Sequence, residues 1–176
     1  ELAVKLPTRD VLNLLLDRLG ETLDAALQAA AKRVPIVELP AALQGPVVGE
    51  PDGEWLKTAN VVGINVRTIG TFWNVVKYVL TIPAAQNAIH LLPIWEPGVV
   101  GSLYGMSSWF INEEFFDSEL AAERPELDTV EKQLQAVINV LHALGRAVGM
   151  DVIPHTDRFS EIALAFPEYF EWLQRK

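Results

Sequence analysis

From Asn60 to Trp95 the chain reads NVVGINVRTIGTFWNVVKYVLTIPAAQNAIHLLPIW, and this stretch decides the fold. Val61–Val66 is a short run rich in β-branched residues, which predicts a strand. Thr71 can cap a helix from Phe72 to about Leu80, and Pro83 stops it. Ala88–Ile94 is a second strand. Both strands are almost wholly apolar, as expected of parallel strands buried on two faces.

The same alternation continues downstream. A long loop is expected from Trp95 to about Leu127. Asp128 then opens a helix, with Glu131 three residues on in a capping-box arrangement. Val130, Leu134, Val137, Ile138, Leu141 and Leu144 form its apolar stripe, and Gly145 and Gly149 stand where the helix ends and the chain turns. Met150–Ile153 is the third strand, and a helix interrupted at Pro167 follows from Ser160. Upstream, Thr8 caps a helix reaching about Arg33, with Leu12, Leu15, Leu16, Leu19, Leu23 and Leu27 on one stripe. Pro35 and Pro40 end it, and a Pro/Gly-rich linker runs to Gly53.

The expected class is therefore α/β, with residues 1–53 an N-terminal helix and linker and residues 54–176 the β/α unit. Strands alternating with helices imply a parallel sheet. An open doubly wound sheet fits this order, and so does the first part of a (β/α)8 barrel, about three β/α units. Three strands cannot close a barrel of eight. The barrel reading thus expects a piece of a longer protein, and a start on Glu1 and an end on Lys176 agree with it.

Composition narrows the function. Half of the 176 residues are hydrophobic, enough for one ordinary core. The net charge is −9 and the basic residues are scattered singly, so neither nucleic acid nor an anionic membrane surface is an expected partner. No apolar run approaches the roughly 20 residues of a membrane helix. No signal peptide is visible, and a cytoplasmic location is expected. The absence of cysteine excludes disulfides, thiolate metal sites and a cysteine nucleophile.

In either architecture, ligands sit at the C-terminal ends of the strands. Arg67 and Thr68 follow the first strand, Trp95 and Glu96 the second, and Pro154, His155, Thr156, Asp157 and Arg158 the third. Asp151 is expected inside the third strand, where a carboxylate is costly unless paired. It either points to the site or accepts backbone N–H bonds. His155 can contact a sugar hydroxyl or move a proton, or serve only its own loop. The Gly-rich segment 98–110 lacks a dinucleotide or phosphate-loop spacing. Tyr104 and Trp109 offer flat faces for a sugar ring, with Ser107 and Ser108 beside them, whereas Phe110 is expected to pack the loop down. His90 and His142 read as structural, and the three histidines are too far apart for a metal site. Glu113, Glu114 and Asp117 read as a solvated acidic face.

Three segments in order resemble the α-amylase family of glycoside hydrolases. Ile89-His-Leu-Leu-Pro-Ile-Trp-Glu-Pro-Gly98 resembles that family's second barrel strand and its exit. Gly101-Ser-Leu-Tyr-Gly105, then Ser107-Ser-Trp-Phe-Ile-Asn112, resembles the loop with a Gly/Tyr pair. Leu127-Asp-Thr, a helix, and Gly149-Met-Asp-Val-Ile-Pro-His-Thr156 resemble the approach to its first conserved strand motif. The likeness covers about residues 60–157. It implies that Tyr104 stacks on sugar, Asp151 supports the site, and His155 stands near the sugar-contacting histidine. The family's Asn-His is His155-Thr156 here, so the resemblance does not carry the family's calcium over to this chain, and no metal or cofactor is assigned. Asp151-Val-Ile-Pro-His-Thr-Asp-Arg-Phe-Ser160 is most similar to the glucosylglycerol hydrolase type.

The resemblance implies a retaining mechanism with two carboxylates roughly 5 Å apart. In the family these follow the fourth and fifth strands. No catalytic residue is therefore assigned in this chain. Its expected contribution is substrate contact through Tyr104, Asp151, His155, Trp109 and Glu96, beside the remainder of the barrel. Phosphorolysis or isomerisation of a sugar, or a non-catalytic sugar-binding or structural α/β domain, are the alternatives.

Overall fold

A computed structural model describes residues 3–46, 53–153, 155–157 and 160–170. The N-terminal region holds two helices, α1 (Thr8–Leu19) and α2 (Glu21–Ala31), where the leucine stripe predicts one. The break is Gly20, at φ 56° and ψ −135°, a backbone geometry in which a side chain is strained. Val11 and Leu15 of α1 and Leu23, Ala26, Leu27 and Ala30 of α2 are buried, whereas Leu16 faces out. Thr8 is the first helical residue and not the cap, and its hydroxyl donates instead to Glu119 at 3.0 Å. A short helix α3 (Ala41–Gln44) follows Pro40, and Leu39 and Leu43 are buried within the stretch expected to be linker.

The β/α region begins with β1 (Val61–Ile64), a helical turn α4 (Val66–Ile69), α5 (Phe72–Val79) and β2 (Ala88–Leu91). Thr71 caps α5 as expected, accepting from the Asn74 N–H. The expected loop at 95–127 is corrected. It contains an antiparallel hairpin, β3 (Trp95–Pro97) and β4 (Met106–Ile111), and a helix α6 (Ser118–Glu123). Next come α7 (Val130–Ala143), β5 (Ala147–Met150) and α8 (Glu161–Ala165). Thr129, not Asp128, caps α7 by accepting from the Lys132 N–H, and Asp128 pairs with the Lys132 ammonium at 2.6 Å. The helix starts one residue later than a capping box from Asp128 requires.

The protein is a mixed α/β fold in which β1, β2 and β5 form a parallel sheet in the order β1-β2-β5. Val61, Gly63 and Ile64 pair with Ala88, His90 and Leu91, and those three pair with Ala147, Gly149 and Met150. Ile64, Ile89 and Leu91 enter one core with Phe72, Trp73, Val75 and Val76 of α5 and Val130, Val137, Val140 and Leu141 of α7. Each such side chain contributes roughly 1.5–3 kcal/mol on burial. Both long helices therefore cover the same face. The other face is buried only where the strands begin: Ala88 and Ala147 are buried, whereas Val61 and Gly63 are exposed and His90 and Gly149 are half-buried.

Two buried amides lock the elements that present the site. Asn139 of α7 donates to the Ala26 carbonyl of α2 at 3.0 Å. Gln133, wholly buried, accepts from the Asp117 N–H and donates to the Asp117 and Leu127 carbonyls, fastening the hairpin's return to α7. Such satisfied groups cost far more to disrupt than they gain when formed. Asp117 is likewise buried, capping α6 through Leu120 and accepting from Thr71 at 2.6 Å, so it does not belong to a solvated acidic face.

Candidate functional site

The third strand ends at Met150, so Asp151 is the first residue beyond β5 and not inside a strand. Its N–H still donates to the Leu91 carbonyl, which fixes it at the C-terminal edge of the sheet. There the ladder with β2 ends and the side chain reaches polar partners. His90 Nε2 lies 2.9 Å from Asp151 Oδ1. The Tyr104 hydroxyl donates to Asp151 Oδ2 at 2.9 Å. Trp95 Nε1 donates to the Asp151 carbonyl at 3.1 Å. Trp109 meets Trp95 edge to face, with centroids 5.2 Å apart at 67°.

Two donors on one carboxylate favour its charged form. The His90 hydrogen bond is the main reason the Asp151 carboxyl sits below its ordinary range; partial burial opposes this, and Tyr104 reinforces it. The Tyr104 phenol is held above its ordinary value, first by the hydrogen bond to Asp151, then by desolvation and the carboxylate charge. Asp151 is thus an ionised acceptor at neutral pH, and Tyr104 a neutral donor.

Of the residues singled out in the sequence, Asp151, Tyr104 and Trp109 come together. Glu96 turns the other way, as pleat alternation after Trp95 requires, and accepts from Ser108 Oγ at 2.6 Å. His155 is exposed and makes no hydrogen bond to a described residue. Its neighbour Thr156 donates to the Met106 carbonyl at 2.8 Å and the Asp157 N–H does the same, clipping the β5 exit to the hairpin. Phe110 is 71% exposed and does not pack the loop down, because its place on β4 points away from Trp95 and Trp109. Pro154 and Arg158, expected beside His155, and the end of the helix expected from Ser160 lie outside the described residues.

His90 was not expected here. In an apolar strand, a histidine reads as packing, yet its side chain is 38% exposed beside Asp151. The available signal was its position next to last in a β-strand, on the face opposite Ile89 and Leu91. Arg67, after β1, donates to the Gly101 carbonyl at 2.7 Å and approaches Glu114 at 3.6 Å, steadying the loop that carries Tyr104. Among the described residues no three His, Asp or Glu side chains gather as a metal site. No described helix is long and apolar enough to cross a membrane.

No family model, curated protein or solved structure matches this chain.

Proposed function

We propose that the Asp151 cluster is a sugar-contacting site of a retaining α-glycoside hydrolase, acting on a glucoside such as the small compatible solute glucosylglycerol. The observation that carries this is an ionised carboxylate hydrogen-bonded to a half-exposed tyrosine at the C-terminal edge of a parallel sheet, with Trp95 and Trp109 adjoining. A sugar needs both features: acceptors for its hydroxyls and flat apolar surface for its ring. The three-segment resemblance to the α-amylase family supports the same reading.

Two features of the fold support a partial (β/α)8 barrel over a doubly wound sheet. The strands are ordered sequentially, and α5 and α7 cover one face. A doubly wound sheet carries helices on both faces. In a barrel the uncovered face, bearing His90 and Gly149, is the interior.

Asp151 holds and orients in this proposal. Both its oxygens already accept hydrogen bonds, and its described partners are a histidine and a tyrosine. A retaining mechanism needs a second carboxyl group at roughly 5 Å. Chain 1–176 alone is therefore expected to bind a glucoside without cleaving it. Calorimetric titration with glucosylglycerol, paired with a glucose-release assay, tests this. The expected result is saturable binding, about fivefold weaker or more in Tyr104→Ala through loss of a hydrogen bond and a ring contact, with no glucose released. Glucose release by this chain, or identical binding by Tyr104→Ala, would overturn it.

A further inference from the structure

We infer that His90 itself contacts the ligand, its Nδ1 accepting a hydrogen bond from a hydroxyl of a sugar or polyol lying over the uncovered sheet face. This deepens the sugar-site reading and rests on it.

The first observation is the tautomer. An ionised carboxylate can only accept, so the hydrogen between His90 and Asp151 belongs to Nε2. In the neutral ring Nδ1 is then a bare lone pair. The second is that Nδ1 has no partner among the described residues. Among the described residues the buried unpartnered side-chain atoms are Asn65 Oδ1, Trp73 Nε1, Gln86 Oε1 and Arg146 Nε, and His90 Nδ1 is not one of them. It meets solvent.

The third observation is register. His90 pairs with Gly63 on one side and Gly149 on the other. Paired positions share a sheet face, so the imidazole stands between two positions without side chains. A β-carbon at 149 would lie 3.1 Å from Nδ1, tighter than ordinary contact. Glycine there leaves the nitrogen uncovered.

Charge selects the class of ligand. The cluster is anionic through Asp151. Arg67, after the neighbouring strand, is engaged by Gly101 and Glu114, and among the described residues no Lys or Arg pairs with Asp151. A neutral hydroxyl donor suits an acceptor nitrogen beside a carboxylate, whereas a phosphate or carboxylate ligand would be repelled.

The test is long-range proton–nitrogen NMR of the imidazole in 15N-labelled chain, titrated with methyl α-D-glucoside and separately with glycerol. In alkaline buffer, where the ring is neutral, the Nδ1 resonance is expected at the unprotonated end of its range, as the Nε2–H tautomer requires. It should shift with added probe, saturating together with the Tyr104 ring signals. Gly149→Ala retains the imidazole while crowding Nδ1, so the ring must give by a few tenths of an ångström, and no positive φ forbids the substitution. It should weaken binding about fivefold, the worth of one hydrogen bond, with the Nε2 signal retained as proof of folding. If Tyr104 reports binding but Nδ1 stays still and Gly149→Ala binds like wild type, the inference fails and the sugar site stands. If neither probe moves Tyr104 or His90, both fail.

Discussion

Asp151 and Tyr104 share one proton-bearing contact, and each makes the other's ionisation harder to change. The hydrogen bond to Asp151, then desolvation and the carboxylate charge, hold Tyr104 above its ordinary value of about 10. Replacing Asp151 by Asn removes both the charge and the ionic acceptor. The Tyr104 midpoint should then fall back toward 10, followed by ultraviolet absorbance in alkaline titration, with Tyr104→Phe subtracting the other tyrosines. An unchanged midpoint would mean that the 2.9 Å contact does not persist in solution. At this scale the sequence is partly informative. A carboxylate near the end of an apolar strand signals an unusual burden, and Tyr104 and Trp109 stand out as loop aromatics. His90 does not, because its meaning depends on cross-strand register with Gly63 and Gly149, and register is a long-range property.

Elements are legible where a local rule decides them. Thr71 caps α5 because its side chain accepts from Asn74 three residues on, a relation readable within one turn. The single N-terminal helix fails for the converse reason: apolar periodicity runs straight through Gly20, and only its positive φ ends α1. The hairpin at 95–111 is hidden by its short first strand and irregular register. Histidine in α7 offers a test of packing between elements. His142 Nδ1 donates to the Leu43 carbonyl at 2.9 Å, and a β-carbon at Gly45 would stand 2.8 Å from its ring. Desolvation pushes its pKa below the ordinary 6.5, and the hydrogen bond only partly opposes this. The unfolded chain takes up the proton first as pH falls. This contribution to stability is complete above about pH 6.5 and is lost as pH falls from there through the lower folded value. Urea midpoints at pH 8 and pH 5 should differ more in wild type than in His142→Gln. Equal pH dependence in the two would exclude His142 as a source of acid sensitivity.

The whole molecule departs from the sequence in one respect that has consequences for solution behaviour. Apolar strands suggest a sheet covered on two faces, yet α5 and α7 lie together on one. Whether helices fall on one face or both depends on crossover geometry, which apolar patterning does not encode. The result is a sheet face left open around Val61, Gly63, His90 and Gly149, with β1 and β5 each hydrogen-bonded to one neighbouring strand among the described residues. Val61 on β1 is 54% exposed, and the hairpin tip exposes Val99 and Val100 at 75% and 77%. Unpaired strand edges beside apolar side chains favour association. The chain's weight-average mass in sedimentation equilibrium should therefore rise with concentration. A net charge of −9 opposes this, so added salt should strengthen it by screening. Val61→Lys places a charge on the β1 edge, and Val99→Ser with Val100→Ser removes the apolar tip. If the edge drives association, only the first returns the chain to monomer; if the tip does, only the second. A chain that stays monomeric at every concentration and salt would mean that the uncovered face is stable in water, removing one reason to read this sheet as an arc of a larger barrel.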